Sequence, residues 1–381
     1  MSCFCGQKVC IGALKRVEST LATDILKKLP HRGWKALLLL ASLCFVVLWT
    51  PVVGCSGEPR LGVTVKGKTV EVIDMHFHPG EWDNIPPATR NYLASRFPFP
   101  LSLTPKSLAE SVLNAEGILG EMDKAGAAIG VLFAVYAPKT VGVATNEFVQ
   151  QEVAKNRTRL LGLASLRVDR WNTDKDKELA ALRKALSDPS MVGIKLAHAH
   201  MHFRMDDPRY YGIYEISAQM KKPVYLHTGS SPFPNINTQA PYTDPSYLED
   251  AIRKHPKAIF ILGHLGFDFI HRKQGKLDEC IRLAKTYKNV YLEPSALGSE
   301  TSDPDGSNFK QTFEKMKAQG VTDRIIYGSD GPQSPGFAKR YLEGTIRAME
   351  RANYTVDEIK AVLAGNFRRV FTLPSTLKKA P

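Results

Sequence analysis

Residues 71–78 read EVIDMHFH, a short apolar run that ends in two histidines. The branched and aromatic side chains favour a β-strand. His76 and His78 are two positions apart, so on a strand their side chains point to the same face. The segment therefore predicts a strand that carries two imidazoles at its carboxyl end.

The same pattern recurs at three further points in the chain. PVYLH ends in His227, AIFILGH ends in His264 and RIIYGSD ends in Asp330, each after a run rich in Val, Ile or Leu. Neutral imidazole and carboxylate are ligands that hold a catalytic divalent metal while leaving a coordination position open. A lone histidine usually lies at the surface without such a role, but repeated placement at strand ends favours a metal site.

Apolar, strand-like runs alternate with amphipathic, helix-like stretches from Leu61 onward. The predicted strands are 71–78, 128–136, 160–168, 191–197, 223–228, 258–265, 289–294 and 324–329. The predicted helices are 105–126, 145–156, 176–187, 208–221, 245–255, 275–287 and 308–320, with more helix between 336 and 372. Eight strands, each followed by a helix, indicate a (β/α)₈ TIM barrel, and a doubly wound open sheet is the alternative.

In such a barrel the active site forms where the strands end, so the histidines and the aspartate would face one mouth. Two loops rich in Pro and aromatic residues, 79–104 and 229–244, follow the first and fifth strands and would shape the pocket. Before the barrel, residues 61–70 predict a short β-extension with a turn at Lys66-Gly67-Lys68.

The 381 residues carry a net charge of +13, which suits an anionic substrate or a membrane surface, although a merely solvated basic surface explains it equally well. No basic cluster with interleaved aromatic residues indicates nucleic-acid binding. Of the six cysteines only Cys280 lies within the predicted barrel, which excludes an internal disulfide framework.

The amino-terminal part has the features of an export signal. Lys35 is followed by ALLLLASLCFVVLWTPVVG, an uncharged run that ends at Cys55. Val52-Val53-Gly54-Cys55 resembles a bacterial lipobox, in which the cysteine is lipidated. An uncleaved membrane anchor is the alternative, since the run nearly reaches the length of a span.

These features divide the chain into a signal segment at 1–55, a tether and β-extension at 56–70, and a barrel domain at 71–381. Ser56 after the cysteine resembles lipoproteins sorted to an outer membrane. We therefore expect an exported, membrane-anchored lipoprotein of a bacterial envelope.

Six short motifs then identify a family resemblance. They are I-D-M-H-F-H-P at 73–79, G-I-K-L at 193–196, V-Y-L-H-T-G at 224–229, L-G-H-L-G at 262–266, Y-G-S-D-G-P at 327–332 and G-N-F-R-R-V-F at 365–371. In this order and spacing they resemble the amidohydrolase superfamily, in particular the amidohydrolase-related branch that contains metal-dependent hydrolases and decarboxylases.

The resemblance implies that His76, His78, His227 and Asp330 bind one divalent ion, most often zinc in this branch. It also implies that His264 lies beside the metal and orients or deprotonates its water, with Asp330 both a ligand and a proton acceptor. A zinc ion lowers the pKa of its water to about 7, and a histidine that titrates near that pH can move the proton.

Lys195 of G-I-K-L has two interpretations. In two-metal members of the superfamily the lysine at this position becomes carbamylated and bridges both ions, whereas in a one-metal enzyme it would contact an anionic substrate, which is the interpretation we favour. Arg204 is a second candidate substrate contact, and Arg90 and Arg96 are others, because guanidinium pairs with carboxylate in a bidentate fashion.

The run His198, His200, His202 departs from the family pattern. If the fourth strand continued, all three side chains would point the same way and could form a second metal site. A His-rich loop at the rim of the barrel is the expectation we favour.

These observations predict a metal-dependent hydrolase that acts on an amide, ester or lactone of a small molecule. A decarboxylase with the same ligands is the first alternative, because the motifs do not separate the two reactions. A lipoprotein that binds a ligand without turnover is the second, and the intact ligand set disfavours it.

Overall fold

The computed structural model describes residues 61–97 and 101–377. The signal segment, Cys55 and the first part of the tether lie outside the described residues, so those expectations stay predictions. Within the described ranges, no helix combines the length and the apolarity that crossing a membrane requires.

The strands alternate with helices along the chain, as the sequence pattern predicts. The strands are β1 (Val63–Val65), β2 (Lys68–Val70), β3 (Ile73–Phe77), β4 (Ile129–Phe133), β5 (Val135–Ala137), β6 (Gly142–Ala144), β7 (Leu160–Ala164), β8 (Met191–Leu196), β9 (Val224–His227), β10 (Phe260–Gly263) and β11 (Val290–Glu293). β1 and β2 form the predicted amino-terminal hairpin, whose turn has positive φ at Lys66 and Gly67.

Seven of these strands form one parallel sheet, in the order β11-β10-β9-β8-β7-β4-β3. Neighbours in this order are also neighbours in sequence, except that the β5–β6 hairpin is inserted between β4 and β7. This order is that of successive βαβ units and is consistent with a TIM barrel.

The predicted eighth strand, 324–329, does not form a regular strand, but its chain joins the two edges of the sheet. Ile326 donates its backbone N–H to Leu292 of β11, and Tyr327 accepts from Met75 of β3. Two isolated parallel bridges, Leu292 with Ile325 and Phe77 with Gly331, lie on either side. The pairing is irregular because Tyr327 donates its own N–H away from the sheet, to the carbonyl of Val362.

The sheet is buried on both faces, as expected for parallel strands covered by helices. Alternate side chains such as Met75, Val131 and Leu163 form an inner cluster that extends to Phe367 and Phe371 near the carboxyl terminus. The intervening side chains pack outward against the helices in a second, larger cluster.

The helices lie mostly where the sequence predicts them. They are α1 (Pro87–Ala94), α2 (Pro105–Val112), α3 (Ala115–Ala125), α4 (Asn146–Ala154), α5 (Trp171–Leu186), α6 (His198–Met201), α7 (Gly212–Met220), α8 (Ala240–Thr243), α9 (Glu249–Lys254), α10 (Leu277–Thr286), α11 (Ser307–Ala318), α12 (Phe337–Arg351), α13 (Val356–Lys360) and α14 (Asn366–Val370), with a π-turn at Ala361–Gly365 between the last two.

The single helix predicted over 105–126 is wrong: two helices occupy the region. The Asn114 side chain accepts a hydrogen bond from the backbone of Gly117 and so begins α3 with an N-cap. Gly117 also packs against the end of α2, since a Cβ there would lie 2.2 Å from the carbonyl oxygen of Ser111. The close approach of the two helices therefore requires glycine.

Candidate active site

The five residues predicted at strand ends lie on neighbouring parts of one edge of the sheet. His76 belongs to β3 and His78 follows it, His227 ends β9, His264 follows β10, and Asp330 lies in the segment that joins β11 to β3. Because the strands are parallel, their carboxyl ends meet at the same edge, and the three-dimensional grouping follows from the topology.

His76, His78 and Asp330 converge on one point. The Nε2 atoms of His76 and His78 are 2.9 Å apart, and they lie 3.1 and 3.0 Å from Oδ1 of Asp330. Two imidazole nitrogens and a carboxylate oxygen thus face each other across distances shorter than those between the ligands of a typical metal site.

His264 and His227 lie beside this point. A donor atom of His264 lies within 4.8 Å of donor atoms of both His76 and Asp330, a spacing that one metal ion could bridge. The ring of His227 is 4.5 Å from the ring of His264, and its buried Nε2 has no hydrogen-bond partner among the described residues. The geometry alone therefore groups His264, rather than His227, with His76 and Asp330.

The backbone is strained at two of these positions. His264 has φ of 61° and Asp330 has φ of 68°, in the left-handed region that side chains other than glycine rarely adopt. Strain of this kind persists where the surrounding structure imposes it, and it concentrates at functional sites. Ser329, the residue before Asp330, is fixed by a hydrogen bond of 2.9 Å from its backbone N–H to the buried carboxylate of Asp74.

Hydrogen bonds fix which nitrogen of each central imidazole carries the hydrogen. Nδ1 of His264 lies 3.1 Å from the backbone carbonyl oxygen of Ser295, which can only accept. Nδ1 therefore carries the hydrogen, and Nε2 presents a lone pair in the neutral ring. Nδ1 of His76 lies 3.0 Å from Oε1 of Glu293, so its Nε2 likewise faces the centre as an acceptor.

Burial and charge act in opposite directions on these groups. Burial lowers the pKa of both His78 and His264 to about 4, so both imidazoles are neutral at pH 7. Burial also acts to lower the pKa of His76, but the carboxylates of Asp330 and Glu293 outweigh it and raise the pKa. Burial alone would raise the pKa of Asp330, whereas the adjacent imidazoles hold it well below its usual range.

Lys195 lies on β8 inside the barrel-like sheet, with 2% of its surface exposed. Its ammonium lies 4.1 Å from the ring centroid of Tyr225 and 4.9 Å from that of Phe133, so cation–π contacts hold it. Burial lowers the pKa of Lys195 to about 7. A buried amine whose pKa lies near 7 can be protonated when an anion enters the site, and the two charges then pair.

The histidine run does not continue β8, so its side chains do not alternate on one face. His198 begins the short helix α6, and His202 follows it with φ of 60°. The ring of His198 packs against Phe203 at 4.2 Å, and exposed His202 bonds the carbonyl oxygen of Asn235. Only His200 approaches the predicted ligands, with its ring 4.9 Å from that of His227.

The arginine candidates pair with neighbours in their own loops. Arg204 donates two hydrogen bonds to Asp206, at 2.9 and 2.7 Å, and its side chain is 46% exposed. Arg96 donates to the hydroxyl of Tyr92, and Arg90 lies 3.5 Å from Asp83. In the part of the chain that the structure describes, none of the three bonds a residue of the predicted metal site.

Three residues that the sequence did not single out lie beneath the site: Glu293, Tyr225 and Ser295. Glu293 ends β11, so it has the same signal as the histidines, a polar residue at the end of a buried strand. The hydroxyls of Tyr225 and Ser295 lie 3.1 and 2.7 Å from its Oε2.

The residues present fit a divalent cation. Converging imidazole nitrogens with a carboxylate oxygen form a donor set that zinc and similar ions prefer. The orphaned Nε2 of His227 is a further buried lone pair that needs a partner.

Solved structures of similar fold include three that are distant in sequence. An uncharacterized TIM-barrel protein from Bordetella bronchiseptica has a TM-score of 0.59 at 20% identity, covering 78% of this chain and 97% of its own. A probable 2-pyrone-4,6-dicarboxylic acid hydrolase from Acinetobacter baumannii, with citric acid bound, has 0.54 at 17%, covering 78% and 98%. A dihydroxybenzoic acid decarboxylase from Polaromonas sp. JS666, with manganese and 2-nitroresorcinol, has 0.53 at 17%, covering 78% and 96%.

At these identities the likeness demonstrates a shared fold. No curated protein sequence matches the chain. The sequence model described as Amidohydrolase, however, matches residues 73–373, which include every motif from I-D-M-H-F-H-P to G-N-F-R-R-V-F. The chain therefore belongs to the amidohydrolase family.

Proposed function

We propose that this protein is a metal-dependent enzyme that hydrolyses a C–N or C–O bond in an amide, ester or lactone of a small anionic molecule. The observation that carries the proposal is the convergence of His76 Nε2, His78 Nε2 and Asp330 Oδ1 within 3.1 Å. A neutral imidazole whose Nε2 is free to accept a proton lies beside them.

In this proposal His76, His78, His227 and Asp330 hold one divalent ion, and zinc is our choice because three imidazoles and one carboxylate suit it. Such an ion, when bound, supplies Lewis acidity that polarises a substrate carbonyl and makes a water molecule acidic. The likeness to a manganese-containing structure is compatible with a different ion in the same donor set.

His264 is the proposed base. Its Nδ1–H is engaged by the carbonyl of Ser295, so the proton leaving the attacking water arrives at Nε2. Because burial lowers the pKa of His264 to about 4, the ring is unprotonated and ready to accept at neutral pH. The imidazolium that forms can then return the proton to the leaving group.

Lys195 is the proposed contact for an anionic group of the substrate. Its ammonium has aromatic rings on two sides and, among the described residues, no hydrogen-bonded carboxylate, so a carboxylate of the substrate could form the first hydrogen-bonded ion pair with it. Arg204 remains a proposed contact only if its pair with Asp206 opens on substrate binding.

Decarboxylation is the second candidate. The likeness to the dihydroxybenzoic acid decarboxylase is as strong as that to the pyrone hydrolase, and the same residues can serve both reactions. In decarboxylation the C–C bond to the carboxylate breaks, CO₂ leaves, and the electron pair left on carbon takes a proton that His264 has first accepted from water, which leaves hydroxide behind.

Isotope labelling separates the two reactions. The purified barrel domain, loaded with Zn²⁺ or Mn²⁺, would be incubated with panels of lactones, esters and amides and of carboxylated phenols. Hydrolysis incorporates ¹⁸O from labelled water into the product, whereas decarboxylation releases CO₂ and places solvent deuterium on carbon. Turnover of neither panel by protein with full metal content would contradict the proposed function.

We also propose that the mature protein is anchored to a bacterial envelope membrane by lipid on Cys55. The support is the uncharged run at 36–54 followed by the lipobox-like Val52-Val53-Gly54-Cys55. Two acyl chains are what stable attachment requires.

Replacement Cys55→Ser tests the anchor. We expect it to block lipid attachment and processing, leaving a longer precursor that is visible by gel and by mass spectrometry. Cys44→Ser, inside the same apolar run, is the matched control and should be processed normally. A Cys55→Ser protein of mature size that still carries lipid would show that the signal is misassigned.

A further inference from the structure

Beneath the predicted metal site lies a buried polar group that the proposed function does not use. It consists of Glu293 at the end of β11, Ser295 two residues later, and Tyr225 on β9; we call it the Glu293 network. All three side chains are fully buried. A carboxylate enclosed in this way is costly unless its hydrogen-bonding capacity is filled.

Both oxygens of the Glu293 carboxylate face hydrogen-bond donors. Oε2 lies 3.1 Å from the hydroxyl of Tyr225 and 2.7 Å from that of Ser295. The backbone N–H of Ser295 also donates to Oε2, over 3.3 Å. Oε1 faces Nδ1 of His76 at 3.0 Å. Since every partner is able to donate, the carboxylate serves only as an acceptor.

The same network reaches His264. The Ser295 hydroxyl, having donated its hydrogen to Glu293, lies 3.0 Å from Nδ1 of His264 and can accept from it alongside the Ser295 carbonyl. The Tyr225 hydroxyl lies 3.3 Å from Nε2 of His264 and 3.2 Å from Nδ1 of His76. One buried carboxylate is thus connected to a predicted ligand and to the predicted base.

Two glycines leave the room that this network occupies. A Cβ at Gly263 would lie 1.9 Å from the Tyr225 hydroxyl, and a Cβ at Gly328 would lie 2.1 Å from Oε1 of Glu293. Neither residue has a positive φ that would itself require glycine. These glycines of the L-G-H-L-G and Y-G-S-D-G-P motifs are therefore explained by space for the tyrosine and the glutamate.

We propose that Glu293 is a positioning residue that holds His76 with its hydrogen on Nδ1, so that Nε2 is presented to a divalent cation, and that through Ser295 it sets the same orientation of hydrogens on His264. The inference rests on the proposed metal site. It adds a carboxylate–histidine–metal relay, in which an outer carboxylate fixes the ring and raises its basicity.

The first test measures zinc affinity rather than turnover. Metal-free Glu293→Gln and wild-type protein would be titrated with Zn²⁺ in competition with a chromogenic chelator. We expect Glu293→Gln to bind zinc roughly 10–100-fold more weakly, because its amide cannot accept all the donors around it. With Co²⁺ instead, we expect an altered visible spectrum, since the ring of His76 is no longer fixed.

Glu121→Gln is the matched control. Glu121 is also a buried glutamate, 1% exposed, but it bonds Lys124 and the backbone of Gly336 away from the site. It should bind zinc like the wild type. If Glu293→Gln melts cooperatively and binds zinc with the affinity of Glu121→Gln, Glu293 has only a structural role and the inference is wrong.

A second measurement needs no variant, in case Glu293→Gln fails to fold. In zinc-loaded wild-type protein, ¹⁵N NMR of the histidine rings should show the hydrogen of His76 and of His264 on Nδ1. A hydrogen on Nε2 of either ring would overturn the inference.

His76→Ala separates this failure from failure of the proposed function. If His76→Ala keeps full zinc affinity, the metal site itself is wrong. If His76→Ala loses zinc while Glu293→Gln keeps it, the metal site is supported and only the proposed role of Glu293 is wrong.

Discussion

Two groups of histidines surround the site, and the structure treats them differently. In the first group, His76 and His264, each ring nitrogen lies within 3.3 Å of a polar atom of the protein. In the second group, His198, His200 and His227, buried nitrogens lack any partner among the described residues. The first group is connected to carboxylates and the second is enclosed mainly by aromatic and apolar side chains.

The difference shows in the protonation of His76, whereas burial lowers the pKa of His264 as it does in the second group. Nearby carboxylates raise the pKa of His76 despite its burial, whereas burial lowers the pKa of His198 and of His200 to about 3. The first group is held in place by the protein itself. The second group is neutral, and its free lone pairs can serve an incoming ligand only as acceptors or metal donors.

The largest expected effect comes from removing one ligand from each group. His76→Ala and His227→Ala should each abolish bound metal and activity, as measured by elemental analysis and turnover. Full metal content in both would contradict the proposed site. Loss in His76→Ala alone would sharpen the comparison, because it would limit the ligands to the first group and assign His264 to the metal.

His264→Asn should have the next largest effect. As a base outside the ligand set, its loss should lower the rate by about 10²–10⁴-fold while the protein keeps one metal ion per chain. Metal content and turnover measured on the same preparation check this. If the metal is lost as completely as in His227→Ala, His264 is a ligand and the division of roles is wrong.

The smallest effect concerns His198, which we expect to be a packed side chain without a part in binding. Its pKa falls from 6.5 in the unfolded chain to about 3 in the fold. The unfolded chain therefore binds more protons in this window, and the free energy of unfolding is highest above pH 6.5 and decreases as the pH falls toward 3.

For metal-free His198→Leu, the loss of unfolding free energy between pH 7 and pH 5 should be smaller than in the wild type by about 2 kcal/mol. Urea denaturation at the two pH values measures it. His202→Asn, at the exposed end of the same run, is the control and should match the wild type. A His198→Leu variant with weakened zinc binding would place His198 in the site after all.

The sequence predicted which polar residues lie at strand ends because that signal is local. A polar residue that ends an apolar run, as at His227 or Asp330, can be recognised without knowing what lies opposite. The parallel topology then brings such ends together. Applied to glutamate as well as to histidine and aspartate, the same rule identifies Glu293, which ends the apolar run of β11.

Other features depend on contacts that the sequence does not display. β8 ends at Leu196 because the chain turns into α6 at His198, so the expected alternation of three histidines stops before it begins. The predicted eighth strand, 324–329, pairs irregularly because Tyr327 donates its backbone N–H to the carbonyl of Val362, 35 positions away in the chain. The predicted strand 128–136 covers β4 and the first residues of β5, whereas β6, its hairpin partner, lies beyond it.

The segment around Asp330, which joins β11 to β3, has a consequence for the order in which the protein is made. His78 and Asp330 are 252 positions apart, yet their side chains meet at 3.0 Å, at the seam where the last segment pairs with β3. During synthesis His76 and His78 leave the ribosome long before Asp330 is added. If the proposed cation is held by His76, His78 and Asp330 together, it can be captured only after Asp330 has been synthesised, so metal loading would follow translation.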